Sequence, residues 1–188
     1  MTNYLRIARR SAHLTQRAFA QRIAEHQPGI AAIEAGKRDV GVSHLEAMLK
    51  STGLRLFPFK TSATPACIVA DAIYDDLRTG HEPRAFRRII QLSDDLSRSS
   101  VVDLVCLIAT PPPSTGDERY DALLAGLCEH YVQIRRAPKP SWLETYVPLD
   151  DPWYVDDDPH FHAQAKRTSP RSLAKRNVYL AASELESV

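Results

Sequence analysis

The sequence predicts an all-α protein in two parts. Three observations predict it. Apolar residues recur at helical spacing along most of the 188 residues, and the second part has no strong strand alternation. Helix start and stop residues, among them Thr15, Pro28, Gly36, Gly53 and Gly80, fall between the apolar runs. Charge is also unevenly spread. Residues 1–60 hold ten Lys/Arg against four Asp/Glu, an excess of six positive charges, whereas residues 61–188 are net −5. A basic third joined to an acidic remainder suggests two jobs. The boundary is placed at Thr61–Pro65 (TSATP), giving domains at 1–60 and 66–188.

Tyr4 to Ser11 is predicted as the first helix, with Leu5 and Ala8 inward and Arg6, Arg9 and Arg10 more exposed. From Leu14 to Gly36 the chain reads as two short helices broken by a tight connection, with Leu14, Ala20, Ile23, Ile30 and Ile33 facing inward and Phe19 broadening the apolar stripe of the first. Thr15 is placed to cap the first of these. Pro28 suits the first turn of the second, and Gly36 its stop. Two helices of this length and spacing form a helix-turn-helix unit. Ser43-His44-Leu45-Glu46 has the form of a capping box opening a helix through Met48 and Leu49 to Gly53. Leu54, Leu56 and Phe57 follow, and Pro58 closes a five-helix domain. A bundle this small is near the lower limit for independent folding, so help from the rest of the chain is expected.

In the second part, helical spacing runs through Cys67–Leu77, Arg84–Leu96 and Val101–Ile108, the last densely apolar and expected to be buried. Pro111-Pro112-Pro113 breaks the pattern. Thr115-Gly116-Asp117-Glu118 then opens a helix whose stripe is Tyr120, Leu123, Leu124, Leu127, Cys128 and Tyr131. Ser141-Trp142-Leu143-Glu144 has the form of a second capping box. Tyr146 to Pro159 is expected to be irregular, His160–Lys166 helical, Ser169-Pro170 the cap of a last helix through Leu173, and Val178–Leu180 extended.

The residues Leu14-Thr15-Gln16, Phe19-Ala20, Ile30, Ile33-Glu34 and Gly36-Lys37-Arg38 together resemble the Cro/repressor-type helix-turn-helix, the XRE family. The resemblance extends without a gap from about Tyr4 to Leu56. It departs where Ala24 replaces the usual turn Gly, Glu25 an apolar residue, and His26 a Ser or Thr cap. The resemblance implies a DNA-binding regulator whose Gln27–Glu34 helix enters the major groove of double-stranded DNA. Gln16 and Gln27 would then face bases, Gln27 being suited to adenine. Arg17, Lys37 and Arg38 would hold phosphates. His26, Pro28, Gly29 and Ala32 would lie against the groove, and Glu34 would serve the fold by bonding backbone or pairing with an arginine. A homodimer on a near-palindromic operator is the corresponding expectation. PPPSTGDERYDALLAGLCEH, the Trp142 segment, Asp151-Pro152-Trp153 and TSPRSLAKRNV with the closing LESV resemble the C-terminal region of actinobacterial antitoxin-like regulators. That implies a cognate toxin as a partner of the second domain, which would dimerise, bind the toxin, or both.

Other classes find less support. An apolar fraction of 44% is ordinary for a folded chain. No window has the uncharged length of a membrane span, and the first residues have no secretory apolar core, so no membrane partner is expected. Cys67, Cys106 and Cys128 form no Cys-x-x-Cys and are expected as reduced, buried thiols in a cytoplasmic protein. With seven glycines and no P-loop, dinucleotide fingerprint or G-x-S-x-G turn, no cofactor and no enzyme activity are expected. His160 and His162 after Asp156–Asp158 have ligand chemistry, but a solvated loop is the preferred account, so no metal is expected. Asp117, Glu118, Asp121 and Glu129 are candidate paired carboxylates without a base–nucleophile constellation. Trp142, Trp153, Tyr154 and Phe161 are either partner anchors or core. The alternative to a DNA reader is an interaction module that neutralises a toxin directly, with the helix-turn-helix as scaffold.

Overall fold

The computed structural model describes residues 4–185 except Tyr146. Tyr146 and the last three residues of the LESV motif therefore lie outside the described residues. The fold is all-α: ten α-helices and one pair of two-residue strands among the described residues. The chain divides into two compact units, Met1–Lys60 and Thr61–Val188.

The first unit holds α1 (Tyr4–Ser11), α2 (Gln16–Arg22), α3 (Gln27–Glu34) and α4 (Val42–Lys50). Among the described residues of this unit there are four helices rather than five, because residues 54–60 are not helical. Leu5, Phe19, Ala20, Ile30 and Met48 form the buried core, and Leu14, Ile23, Ile33 and Leu45 pack against it half-buried. Full burial of Phe19 contributes on the order of 2 kcal/mol of apolar transfer, so spacing of these few side chains decides the fold. Ile7, not among the expected inward residues, is buried as well.

Local chemistry fixes each helix end. The Thr15 hydroxyl accepts from Ala18 N–H at 3.1 Å, as the spacing predicts. Ser43 does not cap α4. Gly41 takes that position, its carbonyl accepting from His44 and Leu45 N–H, so the helix starts at Val42 and Ser43 falls inside its first turn. α2 closes with Ala24 in the left-handed region at φ +56°, Glu25 N–H donating to Ala20 O at 2.9 Å and Ala24 N–H to Gln21 O at 3.3 Å. The same pair of bonds closes α3 around Gly36. Ala24 thus holds a conformation that costs an L-residue energy and glycine almost none.

The second unit holds α5 (Ala66–Arg78), α6 (Glu82–Arg98), α7 (Val101–Ile108), α8 (Glu118–Arg135), α9 (Pro159–Thr168) and α10 (Arg171–Ala174). α5 and α6 form a hairpin against α8, whose stripe Tyr120, Leu123, Leu124, Leu127, Cys128 and Tyr131 is buried as the spacing predicts. α7 is only partly buried. Leu104, Leu107 and Ile108 point inward, but Val101 and Val102 are exposed. The supposed capping box at Ser141 is a 3-10 turn, Ser141–Leu143, preceded by Pro140 and without a side-chain cap. The stretch expected to be irregular contains β1 (Trp153–Tyr154), which pairs in parallel with β2 (Val178–Tyr179).

α10 reaches α8 through a missing side chain. A Cβ on Gly126 would lie 2.4 Å from Leu173 Cδ2 and 3.2 Å from the Ser172 carbonyl oxygen. One turn further along α8, buried Glu129 accepts from Lys139 (3.0 Å), Lys175 (2.6 Å) and fully buried Arg176 (2.5 Å). Burial pushes the Glu129 carboxyl up, but bonds from Lys175, Arg176 and Lys139 overcome this and hold it at about 2. Cys67 and Cys128 are buried thiols, each pushed up by burial, whereas Cys106 is half-buried.

Two outcomes follow. Ala24→Gly should stabilise the first unit by about 0.5–1 kcal/mol in urea unfolding, since Ala24 is exposed and loses no contact. An unchanged or lower midpoint contradicts the strain at this turn. For Glu129, the folded carboxyl is depressed, so its stabilisation is present above the ordinary carboxyl range. It is lost as pH falls through that range toward about 2. Acid unfolding of the second unit should steepen in this window, and Glu129→Gln should flatten it while lowering stability at neutral pH.

Candidate nucleic-acid interface

α2 and α3 meet across the Ala24 turn, and one chain of polar contacts ties their surface to the core. Arg9 on α1 donates from Nε to Glu34 Oε1 at 2.7 Å and from Nη2 to Oε2 at 2.8 Å. Its Nη1 donates to Leu14 O at 2.8 Å, bracing the α1–α2 connection. The Glu34 side chain is 4% exposed and that of Arg9 12%. Arg9, expected among the more exposed arginines, is thus spent inside the unit, and Glu34 serves the fold by pairing with an arginine.

Gln16, at the start of α2, extends the chain outward. Its Nε2 donates to Glu34 Oε2 at 2.9 Å, and its Oε1 accepts from Gln27 Nε2 at 3.0 Å. Gln27 opens α3 and is exposed. With one amide hydrogen committed to Gln16, Gln27 keeps a second hydrogen and its carbonyl oxygen. These are one donor and one acceptor in one plane, the set that a bidentate contact to adenine requires.

Pro28 is exposed at the first turn of α3, and Gly29 and Ala32 are half-buried. His26 sits at the N-cap of α3 but makes no side-chain cap bond there. Its ring is exposed, as are Lys37 and Arg38 in the following loop. Lys37 and Arg38 N–H both donate to Ala32 O, at 2.8 and 3.2 Å, which fixes the loop against α3. The Arg38 guanidinium returns over the first turn of that helix, where a Cβ on Gly29 would lie 3.4 Å from its Nη1. Arg17 is exposed on α2. The structure therefore joins Gln16 to Gln27 and Arg38 to Gly29, while Arg17 and His26 stand on exposed positions of the same short stretch. Arg9 is the residue that sequence spacing undervalued. Its signal was the arginine-rich first helix itself, which cannot say which arginine turns inward.

The other candidate sites do not assemble. Asp117 caps α8 and pairs with Arg119 at 2.7 Å; burial raises its carboxyl, but the bonds from Arg119 win and lower it. Asp121 braces the Ser114–Thr115 loop, Glu118 is exposed, and Glu129 faces its three cations. Asp117, Asp121 and Glu129 thus build structure, the first two together in the loop before α8 and the third against the chain beyond α10. Among the described residues no group of His, Cys, Asp and Glu is arranged to hold a metal. His160 is exposed, and His162 stacks on Tyr154 at 3.9 Å. Trp153 packs against Tyr120 at 5.6 Å, Trp142 Nε1 donates to Ile108 O at 2.8 Å, and Phe161 is exposed. No helix among the described residues is long and apolar enough to cross a membrane.

Neither a curated protein nor a solved structure matches the chain. A family model described as helix-turn-helix does match, over residues 5–59, the span that carries the Arg9–Glu34–Gln16–Gln27 contacts. Within this chain, residues 5–59 are a helix-turn-helix domain.

Proposed function

We propose that the chain is a sequence-reading, DNA-binding transcriptional regulator that acts as a homodimer on a near-palindromic operator. The observation that carries this is the exposed Gln27 amide, oriented by Gln16 and anchored through Glu34 to Arg9. In this reading α3 lies in the major groove with Gln27 and Gln16 toward base edges. Ala32, Gly29, Pro28 and His26 lie against the groove, and Arg17, Lys37 and Arg38 face phosphates. The net +6 charge of residues 1–60 supports it, because phosphate attraction supplies much of the affinity and makes it salt-dependent. Half-sites one helical turn apart match a two-fold dimer, with dimer contacts assigned to the second unit. Such a protein works in the cytoplasm. Pairing with a cognate toxin is proposed on the C-terminal sequence resemblance, since the family match ends at residue 59.

The test is titration against the DNA upstream of its own gene and against scrambled DNA at several salt concentrations. The account expects preference for its own DNA that survives moderate salt. Gln27→Ala should cut that preference by about tenfold, the discrimination of one bidentate pair. Lys37→Ala should weaken both DNAs alike and lower the salt slope by about one. Equal, salt-fragile binding to both DNAs, or a Gln27→Ala protein with unchanged preference, contradicts it and favours the interaction module.

A further inference from the structure

The second unit holds a cleft of about 480 Å³ where the end of α5, the start of α6 and the loop before α8 converge. Tyr74, Arg78, Glu82, Gly116, Asp117 and Arg119 define its walls. A cleft of this size is within the range of small-molecule sites.

One wall is built to hold its shape. The Asp121 carboxylate accepts from Thr115 N–H at 2.6 Å, Thr115 Oγ1 at 2.7 Å and Ser114 Oγ at 2.7 Å. The Thr115 hydroxyl is buried, and it makes a second contact of 2.9 Å with the Asp117 carbonyl. Gly116 then takes φ +82° and approaches the Tyr74 ring, where a Cβ would lie 3.3 Å from Cδ2. The Tyr74 ring and the loop are therefore close and braced before any ligand arrives, which lowers the ordering cost of binding.

The charges on the rim decide what fits. Arg119 is engaged, bidentate to Asp117 at 2.7 and 3.1 Å, 3.7 Å from Glu82, and stacked over the Trp153 ring at 5.4 Å. Arg78 is exposed, and among the described residues it is paired with no carboxylate. It is the cation of the rim left for a ligand. Glu82 and Asp117 on the same rim repel a second negative charge. Tyr74 and Leu77 offer an apolar surface beside Arg78.

We infer that this cleft binds a small organic monoanion, its carboxylate on the Arg78 guanidinium and its apolar or aromatic body against Tyr74 and Leu77. The site lies in the second unit and goes beyond the DNA reading. Its test uses no DNA, so its failure leaves that reading untouched. Benzoate serves as the probe, benzyl alcohol as its neutral counterpart and ATP as a polyanion. The full chain is titrated at constant ionic strength while backbone amide NMR signals are followed.

Millimolar benzoate should shift the Gly80, Gly116 and Arg119 amides, benzyl alcohol should bind at least about tenfold more weakly, and ATP should not compete at equal concentration. Arg78→Ala, an exposed change that leaves the fold intact, should weaken benzoate by about tenfold, and Arg78→Lys should recover part of the loss. Absence of shifts at these amides overturns the inference. So does equal binding of benzyl alcohol or tighter binding of ATP, and so does an Arg78→Ala protein that binds benzoate unchanged.

Discussion

The largely buried ion pair between Arg9 and Glu34 is the constraint on which the helix-turn-helix domain depends. It joins α1 to the last turn of α3 across 25 positions of sequence, in a place that excludes most water. Charges held there are costly unless fully paired, and the bidentate geometry with the Leu14 carbonyl on the third donor meets that condition. The pair is also the root of a polar chain. Gln16 bonds the same carboxylate, and Gln27 bonds Gln16. Side chains linked in this way polarise and restrain one another. A surface amide that would otherwise sample several rotamers is thereby tied, through two bonds, to the rigid interior.

The second unit solves its packing with the same kind of node. Glu129 lies on α8 one turn from Gly126, and the two act together. The absent Gly126 side chain lets α10 approach α8, and Glu129 then gathers Lys175 and Arg176 from the chain just beyond α10. Arg176 O accepts from Leu149 N–H at 3.2 Å, and Asn177 Nδ2 donates to Leu149 O at 2.7 Å. The neighbouring β1–β2 pair is held in register by Trp153 N–H on Asn177 O. One buried carboxylate thus organises a segment that has little regular structure of its own.

These arrangements also explain what was legible in the sequence. The stretch from Leu14 to Gly36 announced itself because its caps, proline and apolar spacing are all local, and Thr15, Pro28 and Gly36 sit where that chemistry predicts. The role of Glu34 was legible as a class, serving the fold by bonding backbone or pairing with an arginine, but not its partner, because Arg6, Arg9 and Arg10 are equivalent until the chain is folded. Ser43 misled because a capping box is only a spacing. The Gly41 carbonyl closed the first turn two residues earlier. Strands of two residues separated by more than twenty positions carry no periodicity, so β1 fell in a stretch expected to be irregular. Glu129 was grouped with other acids by proximity in sequence, whereas its partners come from residues 139, 175 and 176. A buried arginine such as Arg176 leaves no signal in composition.

The central claim is that the Arg9–Glu34 pair fixes the two glutamines at the domain surface. The most direct measurement is the NMR order of the Gln16 and Gln27 side-chain amides in the native chain and in Arg9→Met, at a temperature where the backbone spectrum of both is that of the folded domain. The account predicts ordered amides in the native chain and a fall in order at both glutamines in the variant, with the backbone of α2 and α3 unchanged. Side-chain amides equally ordered, or equally mobile, in the two proteins would contradict it.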